Sequence, residues 1–158
     1  MSDPTDELRR QLEGTAVSEL MPAQGTVGAV ALDAGGDLAA ATSTGGMTLK
    51  RHGRVGDSPL IGAGTYAKNG VCAVSATGHG EYFIRAVAAH HVTLSVEHRG
   101  LTLEQAVHEV LHQTIRSLGG TGGIIAIGAQ GRIVMDHSSE TMLRAARDSR
   151  GLREIFVH

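Results

Sequence analysis

The chain has 158 residues, a formal net charge of -2, and 14 Lys+Arg against 16 Asp+Glu. That length fits one domain and can bury about two-thirds of its unfolded surface. There is no basic excess to neutralise phosphates, and aromatics at 3% with no Trp supply no stacking platform, so nucleic acid is excluded as an expected partner.

In chain order, residues 1–25 stand apart. Asp3 reads as an N-cap, Pro4 as the first helical residue, and Leu8 and Leu12 as one thin apolar stripe ending at Gly14. Such a helix docks but hardly stands alone, and residues 18–24 read as a linker. The expected division is therefore an N-terminal helix and linker over residues 1–25 and a second unit over 26–158. Strand signals follow. Val27–Leu32 and Leu38–Thr42 flank the hairpin loop Asp33-Ala34-Gly35-Gly36-Asp37. Both strands are apolar on both faces and rich in alanine, which predicts cover on both faces.

A polar loop comes next. A second strand pair, Leu60–Tyr66 and Val71–Ala76, turns at Lys68-Asn69-Gly70. Helices are predicted over Glu81–His91 and Thr102–Leu118, the latter with a Thr102/Gln105 capping box and a Gly119-Gly120 stop. Ile124–Ile127 and Ile133–Asp136 form a last hairpin around Gln130-Gly131. Four strands, two helices and two strands predict an α+β domain with helices over a largely antiparallel sheet. The single cysteine, Cys72, reads as a small buried strand residue. No segment reads as a signal peptide or a bilayer span, so the expectation is a cytoplasmic protein with no membrane partner.

Four features carry chemistry. The first is Gly25-Thr26 at the head of a strand. A threonine hydroxyl becomes a good nucleophile when the preceding peptide bond is cut, because the freed α-amine then serves as its base. That amine has a pKa of roughly 7.7–8.0, well placed for neutral pH. The glycine before it would permit a strained backbone. The second is Arg54 and Asp57, either a solvated surface pair or a clamp taking the carboxylate and ammonium of a zwitterion. The third is Gly78-His79-Gly80, a turn or a pair of exposed amides suited to an oxyanion. Ser75 is in no G-x-S-x-G elbow.

The fourth is His108-Glu109-Val110-Leu111-His112, which matches the H-E-x-x-H pattern of zinc peptidases. Its histidines lie beside the apolar stripe of the helix. Met135-Asp136-His137, on a separate hairpin, offers no persuasive third ligand. No metal and no cofactor is expected.

Several runs together resemble one family. They are Gly25–Asp33, Ala41–Met47, Gly53–Pro59, Gly62–Ala67, Ser75–Glu81 and Leu118–Gly123. In that order they are similar to the catalytic β-subunit of plant-type L-asparaginase/isoaspartyl peptidases, which are N-terminal-nucleophile hydrolases. The resemblance runs from Gly25 to about Met142. It implies a four-layer αββα sandwich, here truncated, and cleavage between Gly25 and Thr26. It implies Thr26 as nucleophile, Thr44 and Thr77 holding its hydroxyl and amine, and Thr77 with Gly78 as the oxyanion hole. Arg54 and Asp57 would bind the substrate's α-carboxylate and α-amine, with Gly80 close by.

The implied reaction is hydrolysis of asparagine or a β-aspartyl peptide through an acyl-enzyme. A catalytically silent, assembling relative is the alternative. The family carries a long α-subunit before the scissile bond, where this chain has residues 1–25. It also carries an Asn-Thr-x-Gly-Met run where this chain reads Ser138–Met142. With less cover for its strands, the chain is expected to form a homo-oligomer.

Overall fold

The structure, a computed structural model, describes residues 25–157. The helix and linker expected over residues 1–24 lie outside the described residues. Within them the fold is α+β, and every paired strand is antiparallel.

β1 (Val27–Leu32) and β2 (Leu38–Ser43) form a two-stranded sheet, in register from Val27 opposite Ser43 to Leu32 opposite Leu38. The Asp33 carboxylate closes their loop by accepting the Gly35 and Asp37 N–H groups at 2.8 and 2.9 Å. Gly36 takes φ +91 there, a backbone region that side chains disfavour. β3 (Thr65–Lys68), β4 (Cys72–Gly78), β5 (Gly122–Gly128) and β6 (Ile133–His137) make a four-stranded sheet in that order. β3 is shorter than expected. Residues 60–64 turn instead of extending, because the Leu60, Ala63 and Gly64 N–H groups bond back to Asp57 and Leu60 carbonyls.

Three helices and a π-helical segment cover one face of this sheet. α1 (Gly80–Ala86) ends where Val87 takes a left-handed φ of 48, and α2 (Ala88–Arg99) starts anew. The single helix expected over Glu81–His91 is therefore two, since the left-handed residue interrupts the ladder. α3 (Leu103–Glu109) carries the Thr102/Gln105 capping box and runs into a π-helical segment, Val110–Ile115. Cys72, Val74 and Ala76 of β4 with Ile124 and Ala126 of β5 face Phe83, Val92, Val107, Leu111 and Ile115 in the core. Truncating a buried leucine such as Leu111 costs about 2–5 kcal/mol.

The other face of the sheet receives the β1–β2 hairpin. The approach is close at one point: a Cβ on Gly28 would lie 2.3 Å from Ser75 Oγ. Thr42 Oγ1 and Ser75 Oγ share a 2.7 Å hydrogen bond across the layers. The outer face of the hairpin (Val27, Ala29, Ala31, Ala39 and Ala41) is exposed, so the cover expected on both faces is present on one among the described residues. A second hairpin went unread in the sequence, β7 (Arg144–Arg147) with β8 (Arg153–Phe156). Two arginines flanking two alanines carry no alternating apolar signal. A trough of about 320 Å³ lies between β1 and β7, floored by Ile125 and Ile127.

Candidate active site

The Gly28–Ser75 approach sets where β1 begins. It brings Thr26, just before β1, to the end of β4 where Thr77 and Gly78 stand. A pocket of about 350 Å³ opens there, and Gly25, Thr26, Thr44, Arg54, Asp57, Thr77 and Gly78 all line it. Seven of the eight residues that the family resemblance marks thus share one cavity. The eighth, Gly80, sits behind Asp57, where a Cβ would lie 2.6 Å from Asp57 Oδ1 and 2.9 Å from its backbone nitrogen. Only glycine lets the start of α1 come so near the carboxylate.

Thr26 is half-buried, and its hydroxyl donates to Thr44 Oγ1 at 3.3 Å, a long bond for two hydroxyls. Thr44 Oγ1 also accepts the Gly46 N–H at 3.0 Å, so it is held from two sides. Gly78 has φ +140, and a Cβ there would meet the Thr121 carbonyl oxygen at 2.4 Å. Opposite it a Cβ on Gly122 would meet the Thr77 carbonyl oxygen at 2.1 Å. Two glycines therefore let β4 and β5 close tightly behind the pocket. Among the described residues a Cβ on Gly25 would meet no atom within 4 Å.

The Arg54/Asp57 pair is not a surface ion pair. Arg54 donates from Nε and Nη2 to Glu81 Oε1 at 3.0 and 2.7 Å. That leaves the rest of its five-donor fork for an incoming anion. Asp57 is 5% exposed, and its Oδ2 has no hydrogen-bond partner among the described residues. Burial pushes the Asp57 carboxyl above the ordinary aspartate range, against the opposing pull of backbone N–H groups and Arg54. A buried polar atom without a partner asks for a ligand. Glu81, the anchor for Arg54, and the Thr42–Ser75 bond were not singled out in the sequence. Both lay inside quoted runs, but neither has a motif of its own.

The H-E-x-x-H run resolves differently. Glu109 makes a two-bond ion pair with Arg99, accepting one bond from Nη1 and the other from Nη2 at 3.1 Å. A carboxylate held there is not free to act as the base of a zinc peptidase. The expectation about a third ligand is corrected, because antiparallel pairing of β6 beside β5 carries Asp136 to the helix. His112 Nε2 lies 3.0 Å from Asp136 Oδ2.

Comparison with known proteins shows the family. The Asparaginase family model matches residues 4–157. An isoaspartyl peptidase of Escherichia coli is 55% identical over 121 residues, 77% of this chain and 38% of that protein. An isoaspartyl peptidase/L-asparaginase of Mus musculus is 49% identical over 122 residues, 77% of this chain and 37% of that one. A probable isoaspartyl peptidase/L-asparaginase of Arabidopsis thaliana is 42% identical over 147 residues, 93% of this chain and 44% of that one. The chain thus spans under half the length of these relatives. Among the described residues no helix is long and apolar enough to cross a membrane.

Proposed function

The chain belongs to the Asparaginase family, and from that premise we propose that its pocket hydrolyses the side-chain amide of asparagine or of a β-aspartyl peptide. The observation that carries this reading is the pocket itself, lined by both Thr26 and Asp57, whose buried carboxylate keeps one oxygen without a partner among the described residues. An α-amino acid presents an ammonium for Asp57 and a carboxylate for Arg54. Its side-chain carbonyl then points at Thr26.

The reaction starts from the uncut chain. Thr26 Oγ attacks the Gly25 carbonyl carbon, the peptide nitrogen leaves with a proton, and water hydrolyses the resulting ester. Gly25 becomes a carboxylate and Thr26 an N-terminus. In turnover the α-amine takes the Thr26 hydroxyl proton as the oxygen attacks the substrate carbonyl. Thr44 and Thr77 position that hydroxyl and amine. Thr77 and Gly78 stabilise the oxyanion. The amine or ammonia leaves with the proton, and water releases aspartate from the acyl-enzyme.

The exposed outer face of β1–β2 supports an αββα sandwich whose second helix layer is not among the described residues. It also supports a homo-oligomer, with residues 26–158 acting as the catalytic unit and 1–25 as its leading segment. The names of these relatives, isoaspartyl peptidase and isoaspartyl peptidase/L-asparaginase, fit the same chemistry.

The test uses the full chain. Mass spectrometry after incubation should show a fragment starting at Thr26, and aspartate should be released from a β-aspartyl dipeptide but not from its N-acetyl form. An uncut chain that releases no aspartate favours the silent relative.

A further inference from the structure

We propose that His108, His112 and Asp136 form a binding site for a divalent transition-metal ion, zinc by preference, that staples the α3–π segment to β6. The three residues come from two elements. His108 is the next-to-last residue of α3, His112 lies in the π-helical segment, and Asp136 lies on β6. One ligand atom from each falls within 4.8 Å of the others. His112 Nε2 is 3.0 Å and His108 Nδ1 3.7 Å from the same oxygen, Asp136 Oδ2. A tetrahedral zinc with bonds of about 2.0–2.2 Å holds neighbouring ligand atoms about 3.2–3.6 Å apart. The two distances to Asp136 Oδ2 bracket that value, and side-chain turns that bring the two imidazole nitrogens together would let all three meet one ion.

Three local features orient the ligands. The Asp136 Oδ1 accepts the His137 N–H at 2.8 Å, which fixes the carboxylate plane and leaves Oδ2 toward the imidazoles. The two imidazole rings stack with centroids 4.4 Å apart and planes 30° apart. The change from i→i+4 to i→i+5 bonding falls between the two histidines, and short π-helical turns gather at functional sites. Two imidazoles and one carboxylate suit zinc, nickel or copper rather than calcium or magnesium. Because Glu109 is engaged with Arg99, the ion has no neighbouring base, and its role is to hold a helix to a strand. His108 is largely exposed, so a water completes the coordination from solvent.

The experiment titrates the metal-stripped full chain with cobalt(II) and reads the visible absorption of a four-coordinate ion. One equivalent is expected, displaced by zinc. His108→Gln and Asp136→Asn should each weaken binding at least tenfold, while His98→Ala leaves it unchanged. Zinc at a hundred times its Kd should raise the melting midpoint by about 5–10 °C. Because His108 is at the surface, its glutamine variant reports on binding without disturbing the fold. Absence of the cobalt bands, or bands that persist in His108→Gln and Asp136→Asn, overturns the proposal. This readout is independent of hydrolysis, so its failure and that of the proposed reaction are distinguishable.

Discussion

Replacing Asp57 with asparagine should make the chain more stable and less active at once. The side chain is 5% exposed and its Oδ2 has no partner among the described residues. A buried, unsatisfied group costs about 1–3 kcal/mol, and more when charged. Asparagine keeps the shape and removes the charge. At neutral pH the gain should be about 1–2 kcal/mol, or a melting midpoint raised by about 2–8 °C.

The sign with pH follows from the carboxyl's raised value, whose main cause is burial. The folded chain holds this proton more tightly than the unfolded one. Stability from this group is therefore greatest below the unfolded value of about 3.9 and falls as pH rises to the folded value. The difference between Asp57→Asn and the parent should be small at about pH 3 and level off above the folded value. Activity moves the other way. Losing the partner of the substrate ammonium should cost about 2–5 kcal/mol, or roughly 30- to 5,000-fold in kcat/KM. Calorimetry from pH 3 to 8 with aspartate-release kinetics makes both measurements. A variant that is less stable at pH 7, or that keeps full kcat/KM on β-aspartyl dipeptides, refutes the reasoning.

The other predictions are simpler. Thr26→Ala should leave the Gly25–Thr26 bond whole and abolish hydrolysis, and a fragment starting at residue 26 in that variant would remove Thr26 as the nucleophile. Gly28→Ala forces a Cβ to within 2.3 Å of Ser75 Oγ and should cost about 1–3 kcal/mol by denaturant titration, partly recovered in Gly28→Ala/Ser75→Gly. Strictly additive costs would show that the two positions do not touch. Glu109→Gln should leave hydrolysis unchanged, as should chelation, while chelation alone lowers the melting midpoint. Loss of turnover in either would revive a zinc peptidase.

Much of the fold was legible because its signals are local. β1 has the predicted bounds, the Thr102 capping box forms, and Gly36, Gly70 and Gly131 take positive φ in the expected turns. What escaped depends on distant partners. Arg144–Arg147 becomes a strand by pairing with Arg153–Phe156, not by its own pattern. The left-handed Val87 has no sequence signature, since a β-branched residue is the least expected there. Thr26, Thr44, Arg54, Asp57, Thr77 and Gly78 were singled out because they lie in runs of distinctive order. Their shared pocket rests on the Gly28–Ser75 contact, 47 positions apart in sequence and visible only in three dimensions. Asp136 was missed as a neighbour of His112 for the same reason.

The π-helical segment Val110–Ile115 also sets the phase of everything after it. An α-helix advances about 100° and 1.5 Å per residue. The wider turn absorbs one residue beyond the α-helical count, so inserting a further residue ahead of Ile115 would rotate each later side chain by about that angle. Ile115, fully buried, would swing out of the core, and the backbone would enter Gly120–Gly122 from a new direction. Those residues back the pocket, since the Thr121 carbonyl accepts the His79 N–H at 3.1 Å and lies against Gly78. A widened turn on the far side of the sheet thus works as a vernier for the wall behind Thr77. A one-residue insertion there is expected to misalign that wall, and an insertion variant with parental kcat/KM would contradict it.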